Sequence, residues 1–346
     1  MTKKFDVVIG NPPYQEEATG QATNQMPVYH LFMDAAYEVG EKCVLITPAR
    51  FLFNAGYTPK SWNARMLADP HLSVPIYMPN SDELFPGTDI KAGVAVTYRD
   101  TSKKNGPIGT FSKHPELNTI MHRVADAHPE PLTTIGITND RVYRYTDALH
   151  EAHPEAAGLM SAGNQFKIDS KAFTRLHAIY LATEPMDDGS YIKVLGLDDA
   201  KKRSYRWIPS QYITGPDALY KFKVALPKAN GSGVFGESLS PPVVLGPWTA
   251  VSGTFITIGA FDTSTEADAC LNYLKSKFAR SMLGILKVTQ DNLARVWTYV
   301  PAQDFTSASD IDWTKPIPQI DRQLYAKYGL SDDEIDFIEA NVKPMD

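Results

Sequence analysis

The segment FDVVIGNPPYQ, residues 5–15, joins a short apolar run to a corner of two prolines and a tyrosine. The run is rich in β-branched residues and ends at Gly10, which is typical of a buried strand in a parallel sheet. Pro12 and Pro13 fix their backbone φ angles and have no N–H group to donate. The segment therefore predicts a strand over 5–9, followed by a stiff loop rich in hydrogen-bond acceptors.

The residues that follow alternate between helical and extended patterns. Helices are predicted over 28–39 and 62–67, and strands over 43–46, 73–77 and 92–98. The polar stretch 15–26 is interpreted as a loop. This alternation predicts a parallel α/β sheet, with functional loops after the carboxyl ends of its strands.

Beyond about residue 105 the alternation is lost and turn residues become frequent. Strands are predicted over 221–226, 243–245 and 254–258, and an amphipathic helix over 267–286. Ser331 and Glu334 form the pattern of a capping box at the start of a last helix. We predict two domains, residues 1–110 and 111–346, the second of mixed α/β type.

Composition limits the class of protein. The chain has 346 residues and a net charge of −6, which argues against a surface coated with basic residues. Cys43 and Cys270 cannot form a disulfide framework, which suits a reducing cytosol. No signal peptide and no apolar stretch near the roughly 20 residues of a membrane span are found. We therefore expect a cytoplasmic protein without membrane contact.

One local cluster departs from the acidic average. The stretch KKRSYRW contributes Lys201, Lys202, Arg203 and Arg206, separated by aromatic residues. This pattern is a candidate DNA-binding surface, and a solvated loop is an equally good interpretation.

The sequence gives little support for a metal site, a hydrolase site or an endonuclease site. His150 and His153 have a spacing that metals sometimes use, but no cysteine or further histidine lies near them, so no metal site is assigned. Neither a Ser/His/Asp arrangement nor an endonuclease cluster of carboxylates and lysine is evident. No cleavage activity is assigned.

The corner at Asn11 suits chemistry on an exocyclic amine. The lone pair of adenine's 6-amino nitrogen is conjugated into the ring, so the amine is a poor nucleophile. Two acceptors on its two hydrogens, the Asn11 side-chain oxygen and the Pro12 carbonyl, would free that lone pair. Tyr14 offers a flat face on which a base rotated out of the duplex can stack.

The segment FDVVIGNPPYQ resembles the catalytic motif of adenine-specific DNA methyltransferases, in particular the restriction-modification methylases of the Eco57I type. The resemblance continues through MPVYHLFMDAAYEVGEKCVLITPARFL and NSDELFPGTDIKAGVAVTY, and the stretches 272–305 and 310–345 resemble the end of the target-recognition region of these enzymes. It implies a partial Rossmann-like methyltransferase sheet followed by a mixed α/β target-recognition domain.

The resemblance also implies roles for individual residues. Asn11, Pro12, Pro13 and Tyr14 would hold the adenine of double-stranded DNA. Phe85 would stack on the same base, although a core aromatic is the alternative for this residue. Tyr29 and Phe32 lie in the segment that usually borders the cofactor, S-adenosylmethionine.

One part of the family pattern is missing. The cofactor-binding half normally precedes the NPPY strand, whereas only five residues precede Asp6. The glycine run 231–236 has the form GxGxxG, but Pro241 and Pro242 follow too soon for the required helix. We therefore expect the isolated chain to bind S-adenosylmethionine poorly. We also expect it to expose a sheet edge and an apolar face, covered by a separate cofactor-binding chain or by self-association.

Two other functions stay open at this point. The chain could be a DNA-recognition or specificity module with a vestigial catalytic loop. It could also methylate a protein or an RNA, since an NPPY motif also serves glutamine amides.

Overall fold

A computed structural model describes residues 4–16, 26–139, 141–186 and 190–345. The chain divides into two compact units, residues 1–118 and 119–346. The functional division expected at residue 110 stays a prediction. The loop expected at 15–26 falls mostly outside the described residues.

The described residues of unit 1 form four strands and two α-helices. In chain order they are β1 (Phe5–Gly10), α1 (Tyr29–Val39), β2 (Gly40–Pro48), α2 (Lys60–Leu67), β3 (Leu72–Met78) and β4 (Val94–Asp100). Gly40 caps the C-terminus of α1 as predicted. The helix α3 (Pro115–Asp126) spans the boundary between the units.

The sheet of unit 1 is mixed, so the prediction of a parallel sheet is correct only in part. Its strand order is β1-β2-β4-β3. β1 and β2 are parallel, whereas β4 runs antiparallel to both β2 and β3. No α-helix lies between β3 and β4, and a parallel crossover usually requires one. β4 therefore returns in the opposite direction.

The prediction that the first strand is buried is wrong. β1 is an edge strand, and Phe5, Val7 and Ile9 are 57%, 49% and 77% exposed. Register places Ile9 beside Val44 of β2, on the sheet face opposite the core. β1 lies at the sheet margin, so it has no second neighbour among the described strands to cover it.

One face of this sheet is packed against helices, and the other is largely open. One face packs Cys43, Leu45 and Ala95 against α1 and α2 in a buried core with Met33 and Trp62. The other face carries the apolar side chains Val7, Ile9, Val44, Ile46, Ile76 and Val96, which are half-buried or exposed. The edge and the apolar face expected from the sequence are therefore both present in unit 1.

Unit 2 is built from short elements. Its strands are β5 (Arg144–Tyr145), β6 (Tyr191–Leu197), β7 (Arg203–Pro209), β8 (Ile213–Thr214), β9 (Phe222–Pro227), β10 (Val243–Leu245), β11 (Thr249–Val251) and β12 (Phe255–Phe261). Its helices are α4 (Asp147–Ala152), α5 (Ala156–Leu159), α6 (Ala172–Arg175), α7 (Ser264–Lys275), α8 (Lys277–Gly284), α9 (Ile317–Lys327) and α10 (Asp332–Asn341). A mixed α/β unit is therefore present.

Three small sheets organise unit 2. They have the strand orders β10-β9-β12, β11-β6-β7 and β5-β8. β9 is the central strand of the first sheet, and Val224, Ala225 and Leu226 within it are fully buried.

The long helix predicted over 267–286 is broken in two. Ser276 adopts an extended conformation and caps α8, its side chain accepting from the Ala279 N–H at 3.1 Å. The buried Asp321 carboxylate accepts from the backbone N–H groups of Lys277 and Phe278. A carboxylate from a remote helix thus satisfies the free donors at a new helix start. The predicted capping box of Ser331 and Glu334 is confirmed at α10.

Within the described residues, every helix is too short or too polar to cross a lipid bilayer.

Candidate active site and basic hairpin

Three loops converge at one edge of the sheet in unit 1. β1, β2 and β3 all run in the same direction, so their carboxyl ends lie together. The loop after β1 carries Asn11 to Tyr14, the segment after β2 begins at Ala49, and the segment after β3 precedes β4. In α/β sheets this edge is the usual position of a ligand site.

A pocket opens at this edge. Its volume is about 130 Å³, close to the roughly 150 Å³ of an engineered cavity that takes up benzene. The pocket is therefore of a size that accepts a flat ring. It is lined by Tyr14, Gln15, Pro27, Tyr29, Pro48, Arg50, Gly56, Tyr57, Asp89 and Ile90.

Tyr14 forms part of the pocket wall. Its side chain is half-buried, and its backbone carbonyl accepts from the Val28 N–H at 3.2 Å. The hydroxyl is buried and has no hydrogen-bond partner among the described residues. Burial raises the pKa of Tyr14 to about 12, so the ring is neutral at physiological pH. Tyr14 is therefore available as a flat surface and is poorly suited to act as a base.

Asn11, Pro12 and Pro13 precede this wall. Asn11 and Pro13 are exposed and Pro12 is half-buried. Neither the Asn11 side chain nor the Pro12 carbonyl takes part in a hydrogen bond between described residues. Among the residues that the structure describes, the two acceptors expected from the sequence are therefore unpaired. They lie at the carboxyl end of β1, and neither Asn11 nor Pro12 lines the pocket.

The two residues predicted to border a cofactor have different environments. Tyr29 is buried in the pocket wall, next to the rings of Phe51 and Trp62. Burial raises the pKa of Tyr29 to about 12, although Thr58 and Arg50 oppose the shift. Phe32 is 46% exposed on the outer side of α1 and is not part of the pocket lining.

Phe85 lies in the segment between β3 and β4. It is half-buried, and its N–H donates to the Ser81 carbonyl at 2.8 Å. Phe85 does not line the pocket, whereas Asp89 and Ile90 of the same segment do. The structure therefore brings the Phe85 segment to the site but not the Phe85 ring itself.

Sequence reasoning missed Arg50, Tyr57 and Asp89. Arg50 is the second residue after the end of β2, and its Nε donates to the Lys91 carbonyl at 3.1 Å. Asp89 pairs with Lys91 at 2.5 Å. The signal that could have found Arg50 is its position after Pro48, because the end of a strand parallel to β1 must lie near Asn11.

The predicted DNA-binding cluster lies in unit 2, on a hairpin that the sequence analysis did not predict. β6 and β7 pair antiparallel along their whole length, and the turn between them carries the exposed Lys201 and Lys202. We call residues 191–209 the basic hairpin. Alternation along β7 places Arg203 on one face of the strand and Arg206 on the other.

The glycine run 231–236 is closed by a carboxylate of the chain itself. The Glu237 carboxylate accepts from the N–H groups of Ser232 and Gly233, both at 2.9 Å. The buried Lys287 ammonium donates to the same carboxylate at 3.1 Å. Although burial opposes it, these donors lower the pKa of Glu237 to about 2. The loop is thus an anion-binding turn filled from within, not a nucleotide site.

The two histidines considered for metal binding contact other groups. His150 Nε2 lies 3.0 Å from the Gln165 carbonyl, and His153 Nδ1 lies 3.4 Å from the Glu155 carboxylate. Across the part of the chain that the structure describes, no three potential metal ligands cluster together.

Comparison with known proteins finds similarity to restriction-modification enzymes. Residues 1–85 match the family model of the Eco57I restriction-modification methylase. A search of curated protein sequences finds no match. The solved structure of the type IIG restriction endonuclease BpuSI is 11% identical, with a TM-score of 0.33, and the match covers 97% of this chain and 52% of that one. The type IIL restriction-modification enzyme MmeI, solved in complex with DNA, is also 11% identical, with a TM-score of 0.30 and coverages of 97% and 56%. The chain spans about half the length of these solved structures.

Proposed function

We propose that this chain is the catalytic and DNA-recognition part of an adenine-specific DNA methyltransferase of a restriction-modification system. It would act on the 6-amino group of an adenine rotated out of double-stranded DNA. One observation carries the proposal: the acceptors of Asn11 and Pro12, unpaired among the described residues, lie in the same proline-rich loop as Tyr14, which lines a ring-sized pocket. This loop lies within the residues that match the methylase family model.

The chemistry follows from the acceptors. The Asn11 side-chain oxygen and the Pro12 carbonyl would each accept one hydrogen of the target amine, which draws its nitrogen toward a tetrahedral, nucleophilic geometry. Both groups are already free, and Pro12 and Pro13 keep the loop stiff, so little reorganisation is needed. An asparagine is not a base at neutral pH, so the amine loses its proton only as the new bond forms or afterwards.

The base would be held by stacking. The Tyr14 ring lines the pocket, and its neutral phenol avoids placing a charge beside the base. Phe85 could cover the opposite face of the base only if its segment moved, since its ring does not line the pocket here. The stacking role therefore rests mainly on Tyr14.

The methyl donor expected for such an enzyme is S-adenosylmethionine. The glycine run 231–236 holds the Glu237 carboxylate and is not open to it. Of the two residues proposed to border the donor, Tyr29 lines the pocket and Phe32 is exposed outside it. Further protein would complete the donor site in this proposal.

The uncovered part of unit 1 is a suitable place for that further protein. β1 is an edge strand whose outer backbone groups can pair with another strand. Val7 and Ile9 extend the open apolar face of the sheet. On the side covered by α1, the side chains of Leu31 and Phe32 are 58% and 46% exposed. An exposed apolar surface next to an unpaired edge is typical of a protein interface. A separate cofactor-binding chain that adds a strand beside β1 would complete the sheet.

A methylation assay in cells tests the proposal. The chain is expressed in a bacterial host without adenine methylation, alone and together with the product of the gene next to its own, and methylated bases in the host DNA are mapped by single-molecule sequencing. We expect 6-methyladenine at a defined motif only in the combined expression. Asn11→Ala should abolish it, and Asn105→Ala, an exposed asparagine far along the chain, should not.

Other outcomes separate the alternatives. Methylation that persists in Asn11→Ala would remove Asn11 from the mechanism. Sequence-specific DNA binding without any methylated base would favour the recognition module. Micromolar binding of S-adenosylmethionine to the isolated chain in calorimetry would show that no further protein is needed.

A further inference from the structure

Ion pairs with carboxylates are common among the lysines and arginines of unit 2. Within the described residues, eight of these cations lie within 4.0 Å of a carboxylate oxygen: Arg123, Arg175, Lys221, Lys277, Lys287, Arg295, Lys315 and Lys327. The five cations of the basic hairpin belong to the remaining lysines and arginines, and they are grouped on one structural element. None of Lys193, Lys201, Lys202, Arg203 and Arg206 has a carboxylate within that distance among the described residues.

The basic hairpin is thus locally positive in an acidic chain. Residues 191–209 hold five cations and two carboxylates, a net charge of +3 in a chain with a net charge of −6. The two carboxylates, Asp198 and Asp199, lie in the turn, where Asp198 accepts from the Lys202 N–H and Asp199 from the Thr174 hydroxyl. They hold the turn rather than neutralise its lysines.

The cations are not equally placed. Lys193 of β6 lies across from Trp207, and its Nζ is 4.7 Å from the centre of the Tyr205 ring and 5.4 Å from that of Trp207. Alternation puts Arg203 on the same face as these rings. Arg206 belongs to the other face, where its guanidinium lies 5.9 Å from the centre of the Phe173 ring.

We propose that the Lys193 face of the basic hairpin, together with Lys201 and Lys202 in the turn, is the surface that grips duplex DNA. The inference rests on the proposed function in naming duplex DNA as the partner. Unpaired cations at an acidic protein's surface match the phosphate backbone, which attracts them and releases counterions. Arg206 takes no part in this surface.

Binding of a fluorescent 30-base-pair duplex to the full chain, measured by anisotropy at several salt concentrations, tests the proposal. Each lost phosphate contact should reduce the slope of log affinity against log salt by about 0.9. We expect Lys201→Gln/Lys202→Gln to reduce the slope by about 1.8 and Lys193→Met by about 0.9. Methionine keeps the length of Lys193 and its contact with the two rings while removing the charge.

Two matched controls come from the chain itself. Lys103→Gln/Lys104→Gln removes two adjacent exposed lysines just beyond the end of β4, at the opposite end of the sheet from Asn11. Arg206→Met removes a charge from the other face of the hairpin. Neither should change the slope, and circular dichroism with thermal unfolding should show that every variant is folded.

The proposal is overturned if the chain does not bind the duplex, or if the turn variant keeps the wild-type slope. An equal effect of Arg206→Met would overturn the assignment to one face, and tighter binding of single-stranded DNA or RNA would overturn the choice of duplex. The assay requires no methyl donor. A chain that binds DNA through this hairpin and never methylates it would refute the proposed function while leaving this inference intact.

Discussion

Two strands with nearly the same sequence pattern, β1 and β9, differ in how deeply they are buried. β1 has the sequence FDVVIG and β9 the sequence FKVALP. β1 forms the edge of its sheet and is mostly exposed, whereas β9 is central and its interior residues are buried, including the titratable Lys223. The apolar pattern of a strand therefore indicates its conformation, and its position in the sheet determines its burial.

The loops after these strands differ in the same way. β1 leads into Asn11 and Pro12, whose acceptors are free, and into a pocket. β9 leads to the glycine run, whose N–H groups are taken by Glu237. Both loops resemble ligand-binding motifs in sequence. Among the described residues, the acceptors of the first loop are unpaired, whereas the donors of the second are satisfied by Glu237.

The largest expected effect comes from matched truncations in the two strands. Leu226→Ala in β9 removes a fully buried side chain, which should lower the free energy of unfolding by about 2–5 kcal/mol. Ile9→Ala in β1 alters an exposed side chain and should change it by no more than about 0.5 kcal/mol. Chemical denaturation measures both. Similar losses in the two variants would contradict the difference in burial.

Because Lys223 is buried in β9, the free energy of unfolding should depend on pH. Its Nζ donates to the carbonyls of Lys221 and Gly246, and burial lowers its pKa to about 7 from 10.5. Between pH 7 and pH 10 the unfolded chain therefore binds more protons than the folded one, so the free energy of unfolding should rise with pH. In Lys223→Met the increase in the free energy of unfolding between pH 7 and pH 10 should be smaller by about 2–4 kcal/mol, since one pKa unit corresponds to about 1.4 kcal/mol. If the free energy of unfolding changed with pH in the same way in wild type and variant, Lys223 would be charged and solvated in the folded chain.

The closed loop after β9 should depend on the charge of Glu237. Glu237→Gln should cost about 1–3 kcal/mol at pH 7, because hydrogen bonds to a charged group are lost. The folded pKa is about 2 and the ordinary value 4.5, so this stabilisation is complete above pH 4.5 and disappears as pH falls toward 2. The difference between wild type and variant should shrink over the same range. Glu184→Gln, at an exposed glutamate, serves as the control.

The smallest effect is expected at the open loop. Tyr14→Phe removes a buried hydroxyl without a partner among the described residues, so stability should change by less than about 0.5 kcal/mol. Tyr180→Phe breaks a 2.8 Å hydrogen bond to the Tyr145 hydroxyl and should cost about 0.5–1.5 kcal/mol. A large loss in Tyr14→Phe would mean that its hydroxyl has a partner in the folded chain.

Local patterns were predicted well where the cause is local. Gly40 ends α1 and Ser331 begins α10, because caps depend on a few adjacent residues. The break at Ser276 could not be predicted in this way, since the Asp321 carboxylate that satisfies the new helix start lies on a remote element.

The sequence by itself determined the strand at residues 5–10, the acceptor-rich corner of Asn11 and Pro12, and the capped ends of α1 and α10. These depend on backbone sterics and short-range hydrogen bonds. Only the tertiary structure decided that β1 is an edge, that Glu237 fills the glycine run, and that the cations of the basic hairpin have no carboxylate partner among the residues the structure describes. Burial and charge pairing depend on residues far apart in the chain, and the sequence of one segment does not identify the residues that will pack against it.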